Sequence, residues 1–171
     1  MNHFDRKEVK EPYRSLLEKL VKLLQERFGD RLVSVVLYGS VARGDNRKDS
    51  DVDLLVVIKD LPKSVTERQK LFLEVEKELD DYVERLMDEG YYITLSPLLK
   101  TPEEASRFSP LYMDMTEDAI ILFDRDGFFR NVLERVKKRL EELGFERVWI
   151  SKKAWYWRKR NYKFGEVIQF D

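Results

Sequence analysis

The chain has 171 residues and a mass of 20.6 kDa, which suits one compact domain able to bury a core of its own. Charged residues make up 38%, yet 32 Lys and Arg against 33 Asp and Glu leave a net charge of −1, which argues against a disordered polyelectrolyte. Cysteine is absent and His3 is the one histidine, so disulfides and thiolate chemistry are excluded and a histidine-based triad or metal site is disfavoured.

Along the chain, the spacing of Tyr13, Leu16, Leu17, Leu20, Leu24 and Phe28 predicts a first helix from about Pro12 to Phe28, with Gly29 as its stop. Leu32 to Tyr38 reads as a buried strand, followed by a Gly- and charge-rich connector over 39–50. Val52 to Ile58 reads as a second strand. Ser64-Val-Thr-Glu67 is a capping box opening one long helix, with Leu71, Phe72, Val75, Leu79, Tyr82, Val83 and Leu86 on its buried side and Gly90 as its end. Tyr91 to Leu95 is expected as a third strand stopped near Pro97, Thr101-Pro-Glu-Glu104 as the cap of a short helix, and Ala119 to Phe123 as a fourth strand. Phe128 to Leu143 is a last amphipathic helix; from Phe145 onward the pattern turns aromatic and basic.

The informative segment runs from Tyr38 to Leu54. Gly39-Ser40 comes directly off an apolar strand, and ten residues later Asp51-x-Asp53 leads into another. Gly39 carries no side chain, so backbone N–H groups there can approach a phosphate closely. Residues 40–43 can form a short helical turn whose N-terminal N–H groups face the anion, with the Ser40 hydroxyl as a further donor. Arg43, one turn from Ser40, suits a phosphate contact; the alternative is a surface charge. Two strand positions set the Asp51 and Asp53 carboxylates on one face, about 6–7 Å apart along the chain, a hard-oxygen pair suited to a divalent cation. Arg47 and Lys48 at the loop tip read as solvated charges, and Asp49 as a turn residue.

This pattern resembles the nucleotidyltransferase superfamily that includes DNA polymerase beta, and within it the minimal nucleotidyltransferase branch, whose signature is Gly-Ser, ten residues, then Asp-x-Asp. Gly39, Ser40, Asp51 and Asp53 fit that signature without a gap, and the order of helices and strands extends the resemblance over roughly residues 10–125. The resemblance implies an α/β (α+β) fold, a short mixed sheet packed with helices. It implies that Gly39, Ser40 and Arg43 bind the phosphates of ATP or another NTP. Asp51 and Asp53 would be the catalytic metal ligands for Mg²⁺ (or Mn²⁺), and an acceptor hydroxyl would attack the α-phosphate. AMP is the expected group transferred. One departure stands out. The family usually adds a third carboxylate on the strand after the long helix, and Tyr91 to Pro97 contains no acid. Thr94 or Ser96 occupies that place, while Glu103, Glu104 and Asp114 are the acids able to fold back.

Three acceptor classes compete. Some members of the branch resemble antitoxins that modify a HEPN-domain protein on tyrosine; others resemble aminoglycoside-modifying enzymes; a third reading is a non-catalytic nucleotide-binding or scaffold protein. Residues 146–171 carry seven positive and three negative charges, against a net −5 for the first 145 residues, and all three tryptophans lie there. The expectation is a nucleotidyltransferase domain over 1–144 and an extension over 145–171 packed on that domain, on a partner or in a homo-oligomer. Single-stranded nucleic acid is the weaker alternative, since the sequence pI is near 6.0. No window approaches the ~18 apolar residues of a membrane span, and the opening segment to Arg14 lacks the apolar centre of a signal peptide, so a cytoplasmic location is expected.

Overall fold

A computed structural model describes residues 8–171. His3 and the opening segment 1–7 lie outside the described residues.

The element order follows from where apolar runs and breakers fall. Helix α1 (Tyr13–Phe28) buries the six residues that its spacing predicts. Strand β1 (Leu32–Tyr38) then leads without a gap into the five-residue helix α2 (Gly39–Arg43), and strand β2 (Asp51–Ile58) returns antiparallel to β1. Helix α3 (Val65–Glu76) starts where Ser64 Oγ accepts from Glu67 N at 3.4 Å. The single long helix expected here is broken by a 3₁₀ turn at Lys77–Leu79, after which α4 (Asp80–Asp88) continues. The tighter turn rotates the chain faster than an α-helix does and rephases the stripe, so that Leu79 and Leu86 both stay buried.

Strand β3 lies at Thr94–Lys100, three residues later than Tyr91–Leu95, and runs through Pro97. The sheet order β3-β2-β1-β4 explains this. β3 is an edge strand, paired in parallel with β2 alone, and an edge tolerates a residue with no N–H to donate. Thr101 and Glu104 form the expected reciprocal cap on α5 (Pro102–Ala105). Helix α6 (Leu111–Asp118) has no counterpart among the sequence expectations; Tyr112, Met115 and Thr116 bury one of its faces. Strand β4 (Ile120–Asp124) pairs antiparallel with β1, one residue later than expected, and α7 (Phe128–Leu143) follows.

Both faces of the sheet are covered. Val52, Leu54, Val56 and Ile58 pack with α1 and α3, whereas Leu55 and Val57 pack with α6 and α7. By the strand's two-residue period, Asp51 and Asp53 belong to the α6 side. After Gly144 the chain forms a separate two-stranded hairpin, β5 (Phe145–Ser151) and β6 (Ala154–Lys159). Among the described residues no helix is long and apolar enough to cross a membrane.

Candidate active site

The β1–β2 register sets Tyr38 opposite Asp53, which brings the end of β1 and the start of β2 to one end of the sheet. Gly39 has φ +75, a left-handed value that side chains resist, and a Cβ built there would stand 2.2 Å from Asp53 Oδ2. Glycine is thus required twice, for its backbone and for the carboxylate resting against it. Val41 and Ala42 are buried and pin α2 to the core. Gly44 closes the helix, its N–H donating to Ser40 O at 2.9 Å and to Val41 O at 3.2 Å.

The loop tip is held by its own contacts. Arg47 N donates to Ser50 Oγ at 2.8 Å, Arg47 pairs with Asp49 at 3.1 Å, and Tyr92 N donates to Lys48 O at 2.9 Å. These contacts give Asp49 a turn-holding task.

A cavity of about 180 Å³ opens beside Gly39, lined by Tyr38, Arg43, Asp53, Leu111, Asp114 and Asp118 among others. Asp51 is exposed and Asp53 half-buried. Burial, and then the charge of Asp51, push the Asp53 carboxyl above its ordinary range, with Arg43 opposing them. Burial and the Asp53 charge also raise the Tyr38 hydroxyl. A divalent cation would relieve the repulsion within the Asp pair, and their hard oxygens suit Mg²⁺. Among the described residues no three His, Cys, Asp or Glu side chains converge as a metal cluster. A cation at this end of the sheet would find the two carboxylates of Asp51 and Asp53, with its other coordination places open to phosphate oxygens and water.

The β2–β3 register answers where a third acid would stand: Thr94 is opposite Asp51, and Ser96 is opposite Asp53. Of the acids able to fold back, Glu104 is engaged elsewhere, receiving both guanidinium nitrogens of Arg68 at 2.7 and 2.9 Å. Asp114 does reach the cavity, but its Oδ1 accepts from the indoles of Trp155 and Trp157 at 2.7 and 2.8 Å.

Sequence reasoning named Asp114 but not the helix α6 that carries it, nor Asp118, nor the contacts the hairpin makes beside the cavity. Arg147 grips Asp118 at 3.0 and 2.8 Å, Lys153 Nζ donates to Asp45 O at 3.1 Å, and the Arg43 guanidinium lies 4.7 Å from the Trp155 ring centre. The one available signal was the i, i+3, i+4 spacing of Tyr112, Met115 and Thr116 in α6.

The family model described as nucleotidyltransferase domain matches residues 17–163. A candidate protein adenylyltransferase of Methanocaldococcus jannaschii, MJ1305, is 35% identical over 131 residues, covering 75% of this chain and 84% of that one. The protein adenylyltransferase MntA of Thermococcus cleftensis is 34% identical over 91 residues, 53% of this chain and 81% of that one. A solved structure titled as a toxin-antitoxin with AMP-PNP has a TM-score of 0.46 at 19% identity, covering 73% of this chain and 90% of that chain.

Proposed function

The chain belongs to the nucleotidyltransferase domain family, and we propose that it transfers AMP from Mg-ATP to a hydroxyl group on a protein. The observation that carries this reading is the junction where Asp53 Oδ2 rests against Gly39, with α2 starting at the same point. Gly39 and Ser40 would offer backbone N–H groups and a hydroxyl to the β- and γ-phosphates, and Arg43 a cation. Asp51 and Asp53 would hold the Mg²⁺, which supplies charge neutralisation at the transferring phosphate. The acceptor oxygen bonds to the α-phosphorus as the bond to the α–β bridging oxygen breaks. Pyrophosphate leaves with the electron pair of the broken bond, and the acceptor hydroxyl gives up its proton. The residues contribute positioning and fixed charge rather than covalent chemistry.

The protein acceptor follows from the names of the two relatives. A tyrosine of a HEPN-domain protein is the acceptor that the sequence resemblance implies, in a cytoplasmic setting. The test is incubation of the full chain, Mg²⁺ and a candidate HEPN-domain protein with ATP labelled at the α- or the γ-phosphate. Label from the α-position alone should reach the protein and survive denaturation, and the D53N variant should give none. Label from the γ-position would mean phosphoryl transfer, and label confined to small molecules would contradict a protein acceptor.

A further inference from the structure

Asp118 closes α6 beside the cavity, and two arginines meet at one of its oxygens. Arg147 Nη2 lies 2.8 Å from Oδ2 while its Nη1 lies 3.0 Å from Oδ1. Arg43 Nη1 stands 4.0 Å from the same Oδ2, the outer limit of an ion pair, while its Nε donates to Asp45 Oδ2 at 3.4 Å. The Arg147 and Asp118 side chains are only 8% and 11% exposed, so water screens their charges weakly. Arg147 is fixed further by the rings of Trp149 and Trp155, whose centres lie 4.5 and 4.1 Å from its guanidinium carbon. Trp155 and Trp157 are themselves anchored on Asp114.

A carboxylate buried this far needs a cation, and removing the nearer of its two arginines leaves its charge undercompensated. Were Arg147 absent, Arg43 would have only a short distance to close onto Asp118. Its guanidinium would then be committed to a protein carboxylate and turned from any phosphate at the Gly39 turn. We propose that Arg147 is a positioning residue for nucleotide binding: by holding Asp118 it keeps the Nη end of Arg43 from closing onto that carboxylate and leaves it available to the phosphates. The C-terminal hairpin is thereby part of the nucleotide site without touching the nucleotide. This rests on the reading of Arg43 as a phosphate contact, and the test separates the two.

Calorimetry on the full chain with Mg²⁺ and α,β-methylene ATP, alongside thermal melts, compares wild type with R43A, R147A and R147A/D118N. R147A should weaken binding about tenfold, the equivalent of losing one charge-assisted hydrogen bond. D118N in the R147A background should restore most of the affinity, because a neutral amide no longer captures Arg43. R147K keeps the charge but not the two-pronged grip and should fall between; it carries the same rescue test if R147A melts below the assay temperature. A double variant as weak as the single one would overturn the proposal and reduce Arg147 to a structural support. Wild-type affinity in R147A with weak binding in R43A would overturn it while sparing the Arg43 reading. Wild-type affinity in R43A would defeat that reading and the proposal with it.

Discussion

The Gly39 turn borders the cavity directly, the C-terminal hairpin reaches its lining through Asp114 and Asp118, and the two are held by different physics. The turn is fixed by backbone: a register of Tyr38 on Asp53, a left-handed glycine, and two buried residues in the first turn of α2. The hairpin is fixed by side chains. Asp114 holds two indoles and Asp118 holds Arg147, while Trp149, Ile150 and Tyr156 remain exposed. A backbone-defined site resists substitution until an atom is added where there is no room. A side-chain-defined site loses stability contact by contact. The Gly39 half should therefore be brittle and the hairpin half graded.

The largest expected effect breaks the brittle half. Gly39→Ala sets a methyl on Asp53 and forces a side chain into a left-handed conformation. It should cost about 2–4 kcal/mol of stability and displace Asp53, to be checked by urea unfolding and by AMP transfer together. A Gly39→Ala chain with wild-type stability and activity would mean that the turn is softer than its backbone suggests.

A smaller effect calibrates an ion pair remote from both regions. Arg68, which also donates to Pro62 O and Leu99 O, holds the Glu104 carboxyl down at about 2 from its ordinary 4.5. Unfolded chains therefore bind this proton at higher pH than folded ones. The stabilisation is fully present above about 4.5 and is lost as pH falls toward 2. The Glu104 side chain is 41% exposed, so solvent screening limits the contribution to about 1–2 kcal/mol. Unfolding curves at pH 6 and pH 2 should differ less in E104Q than in wild type by most of that amount; equal pH sensitivity would contradict the assignment.

The smallest effect samples the graded half. Trp157→Phe removes one of two donors to Asp114 and keeps the ring, so it should cost about 1 kcal/mol. Because all three tryptophans lie in the hairpin, fluorescence of the remaining two follows that element while circular dichroism follows the helices. The fluorescence midpoint should shift with little change in AMP transfer. Loss of transfer comparable to that in Gly39→Ala would erase the distinction between the two halves.

What was legible in the sequence follows the same division. β1, the Gly39-Ser40 turn, Asp51 and Asp53 could be read because apolar runs, a glycine and a two-residue period are local signals. α1 and α7 were readable for the same reason, their stripes running over four turns with a glycine behind each. β3 was displaced because pairing with β2, not its own residues, decides where an edge strand begins, and Pro97 misled as a stop. α6 was hidden because it spans eight residues and no side chain caps its start. The partners of Arg147, Trp155 and Trp157 lie about thirty to forty residues earlier in the chain, a distance no local pattern encodes.

The nucleotide site is tested most directly by one titration: α,β-methylene ATP into the full chain, with and without Mg²⁺, for wild type, D51N and D53N. Wild type should bind with Mg²⁺ and lose most of its affinity without it. Each variant should stay folded and lose at least about tenfold in affinity, since each removes one of the two carboxylates available to the cation. Affinity indifferent both to Mg²⁺ and to the two substitutions would contradict the assignment of the nucleotide site to the junction of Gly39 and Asp53.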